Sequence, residues 1–331
     1  MMVLTGGGTG GHIFPLLALR EEFEKRGIRT VYAGSIFGLE KEIVKEGIFL
    51  PVRGWVRKSI HERLLFLPGF LVSLFHAVLT AFDTRPEAIV SSGGFASVPF
   101  SLASLILGIP LYLLEPNSVP GLAVRVFSPF ARKVFTGFET AGRFLRGKVV
   151  CSGIPVRRME KMDRKRAREF FGIRKRYAVF VLGGSRGAKR LLELVRDTCK
   201  KVSECEFLAQ VGDKSMPLPE EIKAYRFFER MDAVYSAADL IISRAGAGTV
   251  GELMLFDVPA ILVPYPYAYL DHQYLNAKEA ERYGGIRVVR EEELTPEKLA
   301  DLIREGLKGR FGKRRVRENP VLRVVEEICS G

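Results

Sequence analysis

Residues 3–16 read VLTGGGTGGHIFPL, a short apolar run that turns through glycines into a stretch of helical character. Residues 178–191 read AVFVLGGSRGAKRL and repeat this arrangement in the second half of the chain. A strand that turns through glycines into a helix directs backbone amides and the positive end of the helix at one point, which suits a phosphate or another anion. The two turns therefore predict two similar domains that face each other across a cleft.

The sequence around these turns alternates between apolar runs and amphipathic stretches, as in a doubly wound sheet. We predict strands in the first half at residues 3–5, 30–33, 49–52, 88–91, 111–114, 134–136 and 148–151. In the second half we predict strands at residues 178–182, 206–211, 225–228, 240–243, 260–263 and 286–289. Short connections favour parallel βα units. The predicted fold class is α/β, with two Rossmann-like doubly wound domains.

The boundary between the domains is predicted where a glycine and a proline interrupt the pattern, at residues 152–158. Residues 1–153 form the predicted first domain, and residues 154–317 form the second. Residues 318–331 form a last helix that we expect to pack back on the first domain.

The composition is that of a globular protein, since 47% of the 331 residues are hydrophobic. The four cysteines have no paired spacing, and no charged leader precedes an apolar stretch at the N-terminus. These features predict a cytoplasmic protein with reduced thiols.

The formal net charge is +13, and basic residues are concentrated at residues 157–176 and 308–317. Such a charge attracts nucleic acid, an anionic membrane or a diphosphate substrate. The sequence has no basic motif interleaved with aromatic residues and no recognition-helix pattern, which argues against nucleic acid.

Residues 64–82 carry no charge and approach the roughly 20 residues that cross a bilayer. Pro68 and Gly69 interrupt this run, and a predicted strand follows it closely. We therefore predict a helix that begins near Gly69 and packs on the sheet. Two alternatives remain open for it: a fully buried helix and a helix that lies at a membrane surface.

A dinucleotide-binding oxidoreductase is the first function that the glycines suggest, because Gly6, Gly8 and Gly11 have the fingerprint spacing. That fingerprint requires an acidic residue at the end of the second strand, to bind a ribose. The second predicted strand ends in Gly34 and Ser35, so this residue is missing. The oxidoreductase becomes a minor alternative.

Polar residues at the ends of strands in the second half indicate a nucleotide-sugar pocket instead. Glu252 follows Thr249 at the spacing of a capping box, but its carboxylate is also well placed to accept from two ribose hydroxyls. Gln273 and Asn276 share one helix face, where two amides can bind the hydroxyls of a sugar.

Taken together, these motifs resemble the MurG family of N-acetylglucosaminyltransferases, in order and over nearly the whole length. The residues that carry the resemblance are Gly6, Gly7, Thr9, Gly10, Gly11, His12, Ile13, Phe14, Pro15, Ser92, Gly93, Gly94, Phe95, Glu115, Asn117, Pro155, Val156 and Arg157, with residues 183–188, 244–252 and 272–276. The resemblance implies a glycosyltransferase of the two-domain GT-B fold. It would transfer GlcNAc from UDP-GlcNAc to the C4 hydroxyl of MurNAc in lipid I, giving lipid II for peptidoglycan, with no cofactor.

The resemblance also implies which residues bind each substrate. The donor contacts carried over by position are Arg157, Ser185, Phe228, Ala247, Gly248, Thr249, Val250, Gly251, Glu252, Gln273 and Asn276. The acceptor side carries Thr9, Gly10, Gly11, His12 and Asn117. Uracil is expected near Phe228, the ribose on Glu252 and the amino sugar near Gln273 and Asn276.

Inverting transfer needs a base for the acceptor hydroxyl and stabilisation of the departing diphosphate. Backbone amides of the second glycine turn and Arg157 can take that charge without a metal. His12 is the first candidate for the base because imidazole titrates near neutral pH, and Glu115 is the second. A histidine that only caps the helix is the alternative for His12.

A lipid acceptor places the enzyme at the bilayer, on the cytoplasmic face. Leucines and phenylalanines of residues 64–82 and Trp55 lie near Arg53, Arg57, Lys58 and Arg63 in the sequence. We expect them to bind an anionic membrane peripherally and in a salt-sensitive way. Other cell-wall synthesis proteins are open as partners. The alternative functions are another lipid-directed GT-B glycosyltransferase and a UDP-GlcNAc 2-epimerase.

Overall fold

A computed structural model describes residues 1–53, 66–183, 188–212 and 218–331 of the chain. These residues divide into two compact units. Unit 1 consists of Met1–Arg157 together with Asn319–Gly331, and unit 2 consists of Arg158–Glu318.

The sheet of unit 1 has seven parallel strands in the order β3-β2-β1-β4-β5-β6-β7. The strands are β1 Met2–Thr5, β2 Thr30–Ser35, β3 Ile48–Leu50, β4 Ala88–Ser91, β5 Leu111–Glu115, β6 Lys133–Thr136 and β7 Val149–Cys151. The central strands read as continuous apolar runs because both faces of a parallel sheet are covered.

Helices cover both faces of this sheet. They are α1 Gly10–Lys25, α2 Glu40–Ile43, α3 Phe66–Thr84, α4 Val98–Leu107 and α5 Leu122–Phe127. Alternate residues of β1 belong to the two apolar clusters on opposite faces of the sheet. Leu4 packs with α1, and Val3 packs on the side of α3 and α4. The period of two along a strand thus assigns one helical layer to each face.

The sheet of unit 2 has six parallel strands in the equivalent order, β10-β9-β8-β11-β12-β13. The strands are β8 Tyr177–Leu182, β9 Cys205–Gln210, β10 Ile222–Tyr225, β11 Leu240–Ser243, β12 Ala260–Leu262 and β13 Ile286–Val288. The helices are α6 Arg164–Phe170, α7 Lys189–Thr198, α8 Met231–Ala237, α9 Ala247–Leu253, α10 His272–Glu281 and α11 Pro296–Leu307.

One strand prediction was wrong in its position. Residues 225–228 were predicted as a strand, but β10 covers Ile222–Tyr225, where Ile222 pairs with Phe207. Phe228 lies after the strand, in a cluster of aromatic rings with Phe171 and Phe180. Phe228 is therefore buried from a loop, whereas the neighbouring Phe227 is exposed.

The last helix, α12, spans Val321–Cys329 and belongs to unit 1. Val324, Val325 and Ile328 lie in the same apolar cluster as Phe23 of α1. The Asn319 side chain donates to the Val156 carbonyl over 2.7 Å, which joins the two segments of unit 1 where the chain leaves and re-enters it.

Helix α3 has one buried face and one exposed face. Ser73, Ala77 and Ala81 are buried and recur every four residues, toward the sheet and α4. The exposed apolar face consists of Leu67, Leu71, Val72, Phe75, Leu79 and Phe82. The fully buried alternative is therefore wrong, and the position of this helix at a membrane surface stays a prediction. Leu67–Thr84 is also, among the described residues, long and apolar enough to span a bilayer by length and composition.

Candidate active site

The first glycine turn lies at the topological switch point of unit 1, between β1 and β4. Thr9 is the N-cap of α1, and its carbonyl accepts from the His12 amide over 3.0 Å. Gly8 has a φ of +85°, a conformation that favours glycine. A Cβ on Gly6 would stand 2.0 Å from the Ser92 hydroxyl, so the loop after β4 requires a glycine here.

His12 lies on the first turn of α1, beside the loop that follows β4. The Ser92 hydroxyl donates to the His12 carbonyl over 2.7 Å. A Cβ on Gly93 would lie 3.8 Å from the imidazole Cε1 of His12, so the ring lies next to Gly93. The imidazole is half-buried at the edge of the sheet where ligands bind in doubly wound folds.

Glu115 ends the neighbouring strand β5, and its carboxylate is fully buried. Oε1 accepts from the backbone and side-chain amides of Asn117 over 2.9 and 3.2 Å, and Oε2 accepts from the Gly121 amide over 2.8 Å. Burial raises the pKa of Glu115 to about 7, against the effect of these hydrogen bonds. The carboxylate fixes the loop that carries Asn117, which is half-buried at the same edge.

The second glycine turn lies at the switch point of unit 2, between β8 and β11. Ser185 and Gly184 lie outside the described residues. The start of the turn is described, and a Cβ on Gly183 would stand 3.1 Å from the Ala188 amide nitrogen. Gly183 and Ala188 therefore lie close together.

Helix α9 follows β11 and begins at Ala247, with Gly246 as its N-cap. Thr249 lies inside the helix, so the capping-box alternative for Glu252 is wrong. Oε2 of Glu252 instead accepts from the Tyr235 hydroxyl over 3.1 Å. Tyr235 was not predicted for this site, because nothing in the sequence brings α8 to α9.

Gln273 and Asn276 both lie on α10, but their surroundings differ. Gln273 is half-buried, and its side-chain oxygen accepts from the Tyr265 amide over 3.0 Å. Asn276 is fully buried and donates to the Ala245 carbonyl over 3.3 Å, in the loop that leads to α9. Both side chains therefore fix loops at the carboxyl edge of this sheet.

A buried ion pair, missed in the sequence, lies at the same edge. Arg244 donates to Glu291 and also to the carbonyls of Val263 and Pro264, each over 3.2 Å. Glu291 opens a run of three glutamates that looks like solvated surface in the sequence. The pair links the loop after β11 to the segment after β13, and the two carbonyl contacts of Arg244 join both to the loop after β12.

Two remaining predicted residues lie away from these groups. The Phe228 ring is buried among other aromatic rings, and its backbone amide donates to the Gln210 side chain over 3.5 Å. Arg157 is exposed at the boundary of the two units and is assigned to unit 1.

Two doubly wound sheets, each with a glycine turn at its switch point and polar side chains at the same edge, define a glycosyltransferase of the GT-B class. The N-terminal domain model of glycosyltransferase family 28 matches residues 2–136, and the C-terminal domain model of that family matches residues 178–319. The chain belongs to the MurG family within this class.

Relatives of the chain are named UDP-N-acetylglucosamine--N-acetylmuramyl-(pentapeptide) pyrophosphoryl-undecaprenol N-acetylglucosamine transferase. The one from Sulfurihydrogenibium sp. (strain YO3AOP1) is 33% identical, over 94% of this chain and 89% of the relative. The one from Thermotoga sp. (strain RQ2) is 35% identical, over 98% of this chain and 97% of the relative. The crystal structure of Acinetobacter baumannii MurG is 26% identical and superposes with a TM-score of 0.78, covering 100% of this chain and 99% of that one.

Proposed function

We propose that this protein transfers GlcNAc from UDP-GlcNAc to the C4 hydroxyl of MurNAc in lipid I, giving lipid II. The observation that carries the proposal is the shared position in the chain of the two glycine-rich segments, which follow β1 and β8, the strands at the switch points of the two sheets. This position presents amides to an anion. A reaction between a nucleotide diphosphate sugar and a lipid diphosphate needs two anion-binding sites of this kind.

Unit 2 binds the donor in this proposal. The ribose is held by Glu252, whose carboxylate is already oriented by the Tyr235 hydroxyl. The uracil lies against the backbone at Phe228, and the amino sugar lies near Gln273. Asn276 keeps the loop before α9 in place through the Ala245 carbonyl. Arg157, Ser185 and the segment from Ala247 to Gly251 supply the charge and the amides for the diphosphate.

Unit 1 binds the acceptor and supplies the base. The amides of Gly10 and Gly11 open α1, where the first N–H groups have no acceptor within the helix, and they bind the lipid diphosphate. His12 accepts the proton of the attacking hydroxyl as a neutral imidazole, a form that the start of a helix favours. Asn117 orients the acceptor sugar, and Glu115 positions Asn117.

The exposed apolar face of α3 binds the membrane that carries the acceptor. A Cβ on Gly69 would stand 3.0 Å from the Pro51 carbonyl, so the start of α3 lies close to the segment that carries Arg53. Apolar side chains beside a cation are the combination that inserts at an anionic bilayer surface. Trp55, Arg57, Lys58 and Arg63 of the same expected surface lie outside the described residues. The protein is thus a peripheral protein of the cytoplasmic face of the membrane.

The test is an assay of purified protein with radiolabelled UDP-GlcNAc and a lipid I analogue. A labelled lipid product supports the proposal. Labelled product only with a different lipid acceptor would indicate another lipid-directed transferase. UDP-ManNAc formed without acceptor would indicate an epimerase.

Two substitutions separate the roles of the two units. We expect His12→Ala to lower kcat by about 10²–10⁴-fold, the usual contribution of a general base, with donor affinity unchanged. We expect Glu252→Ala to weaken UDP binding, measured by calorimetry, because the ribose hydroxyls lose their acceptor. Unchanged turnover of His12→Ala would remove His12 from the mechanism.

A further inference from the structure

Glu40 is a fully buried carboxylate at the first residue of α2. Its Oε2 accepts from the Gly8 amide over 2.9 Å, and its Oε1 accepts from the Ser35 amide over 2.9 Å. One side chain thus joins the first glycine turn to the end of β2. A buried carboxylate needs such donors, because burial without them is costly.

Three glycines make room for this carboxylate. A Cβ on Gly7 would stand 2.2 Å from Oε1 of Glu40, and a Cβ on Gly38 would stand 2.2 Å from each of its carboxylate oxygens. A Cβ on Gly34 would stand 2.6 Å from its Cγ. The turn at residues 6–8, the end of β2 and the turn before α2 are therefore all shaped around Glu40.

The neighbouring Tyr32 supports the same turn from β2. Its hydroxyl donates to the Gly6 carbonyl over 2.8 Å. Burial, together with the charge of Glu40, raises the pKa of Tyr32, so that the hydroxyl stays protonated and continues to donate. The glycine turn is consequently held at a carbonyl by Tyr32 and at an amide by Glu40.

We propose that Glu40 is a positioning residue for the transfer reaction, which sets the peptide orientation of the Gly6–Gly8 turn and so aims Gly10, Gly11 and His12 at the lipid diphosphate acceptor. This inference rests on the function proposed above. Glu40 itself does not touch the acceptor. It faces the turn from the protein side, where it occupies the Gly8 amide and leaves the amides of Gly10 and Gly11 to the ligand.

The experiment compares Glu40→Gln with Glu42→Gln, an exposed residue on the same short helix, in the assay with UDP-GlcNAc and a lipid I analogue. A glutamine has one oxygen, so one of the two amides at Glu40 would face an NH₂ group and the turn would shift. We expect Glu40→Gln to lower kcat/KM for the acceptor by about tenfold to a hundredfold, as small displacements of reacting groups do. The KM for UDP-GlcNAc should stay unchanged, and Glu42→Gln should match the wild type.

A second variant tests the same contact without changing Glu40. Gly38→Ala places a methyl group against the Glu40 carboxylate and should displace it from both amides. We expect kcat/KM for the acceptor to fall as in Glu40→Gln, with the KM for UDP-GlcNAc unchanged. This variant carries the test if Glu40→Gln does not fold.

The outcomes separate the two proposals. A wild-type enzyme that forms no labelled lipid would overturn the proposed function, and this inference with it. The positioning role alone would be overturned if the wild type is active and a folded Glu40→Gln variant retains its kcat/KM for the acceptor. It would also be overturned if the variant loses kcat/KM for the donor and for the acceptor by the same factor.

Discussion

At the scale of single residues, buried carboxylates hold the loops of unit 1 that follow its strands. Glu40 binds two backbone amides, and Glu115 binds two backbone amides and one side-chain amide. Each gives a glycine-rich or irregular loop one conformation where main-chain hydrogen bonds of a sheet or helix are missing. The side chains proposed to act on the acceptor, His12 on the first turn of α1 and Asn117 on the loop after β5, are thus next to segments that these carboxylates fix.

Glu115 gives a pH dependence to the stability of unit 1. Burial raises the pKa of Glu115 to about 7 in the folded protein, from the 4.5 that is ordinary for a glutamate. Between these values the folded state keeps a proton that the unfolded chain has released, so the free energy of unfolding falls as pH rises. We expect this loss to reach roughly 3 kcal/mol and to be absent in Glu115→Gln.

The measurement is hydrogen exchange of the β4 and β5 amides across that pH range, compared between the wild type and Glu115→Gln. The difference between the two proteins isolates Glu115 from the other carboxylates that titrate in the same range. Parallel curves for the two proteins would show that Glu115 does not hold this proton.

The resemblance of the sequence to the MurG family predicted His12, Glu115 and Asn117 for the acceptor side. All three lie at the carboxyl edge of the unit 1 sheet, where β4 separates β1 from β5. The sequence did not predict Glu40, whose importance depends on three glycines that converge only in the folded chain. It also left two roles open for Glu252, and the start of α9 at Ala247, before Thr249, excludes the capping box. Local spacing indicates which residues share an edge, but partners from other elements need the tertiary structure.

At the scale of elements, α3 has one face packed in the core and one exposed apolar face. Its small buried residues let it pack closely on the sheet and α4, and the opposite side keeps large apolar side chains in solvent. Phe75 is 63% exposed, the largest exposed fraction among the six side chains of the exposed apolar face. Contiguous apolar surface of this kind marks an interaction site.

Phe75→Glu should weaken binding to anionic phospholipid vesicles by about ten- to a hundredfold, since a buried phenylalanine contributes roughly 1.5–3 kcal/mol. Stability should change little because the ring is exposed. Co-sedimentation at low and high salt measures the effect. Leu322→Glu, on α12, is the matched control, because Leu322 is 54% exposed in the same unit. Equal losses for both variants would mean that α3 is not the membrane-binding element.

Elements of regular pattern were predictable, and those shaped by tertiary packing were less so. The strands around both glycine turns could be predicted because buried parallel strands are short continuous apolar runs. β10 was misplaced because the apolar residues that follow it pack in an aromatic cluster rather than in the sheet. The exposed side of α3 was undecidable from its sequence, since both of its sides are apolar.

At the scale of the whole molecule, unit 2 is inserted within the chain of unit 1. Residues of the first and the last segments share one core, in which α12 packs beside α1. Salt bridges support this packing at its rim, including Lys133 to Glu327 over 3.1 Å. Unit 1 therefore depends on a segment that is distant in the sequence.

Ile328→Ala should lower the free energy of unfolding of unit 1 by about 2–5 kcal/mol, the usual cost of truncating a buried isoleucine. Leu322→Ala, on the exposed side of the same helix, should have little effect. Hydrogen exchange read separately for the strands of each unit measures this. Equal loss of protection in the strands of unit 2 would contradict the independence of the two cores.

The insertion also orders events during synthesis. Residues 158–318 leave the ribosome before residues 319–331, so the inserted unit is complete while its host still lacks α12. Translation proceeds at about 5–20 residues per second. The apolar side of α1 that packs against α12 is therefore uncovered in the nascent chain for many seconds. Unit 1, whose synthesis begins first, is therefore completed after unit 2.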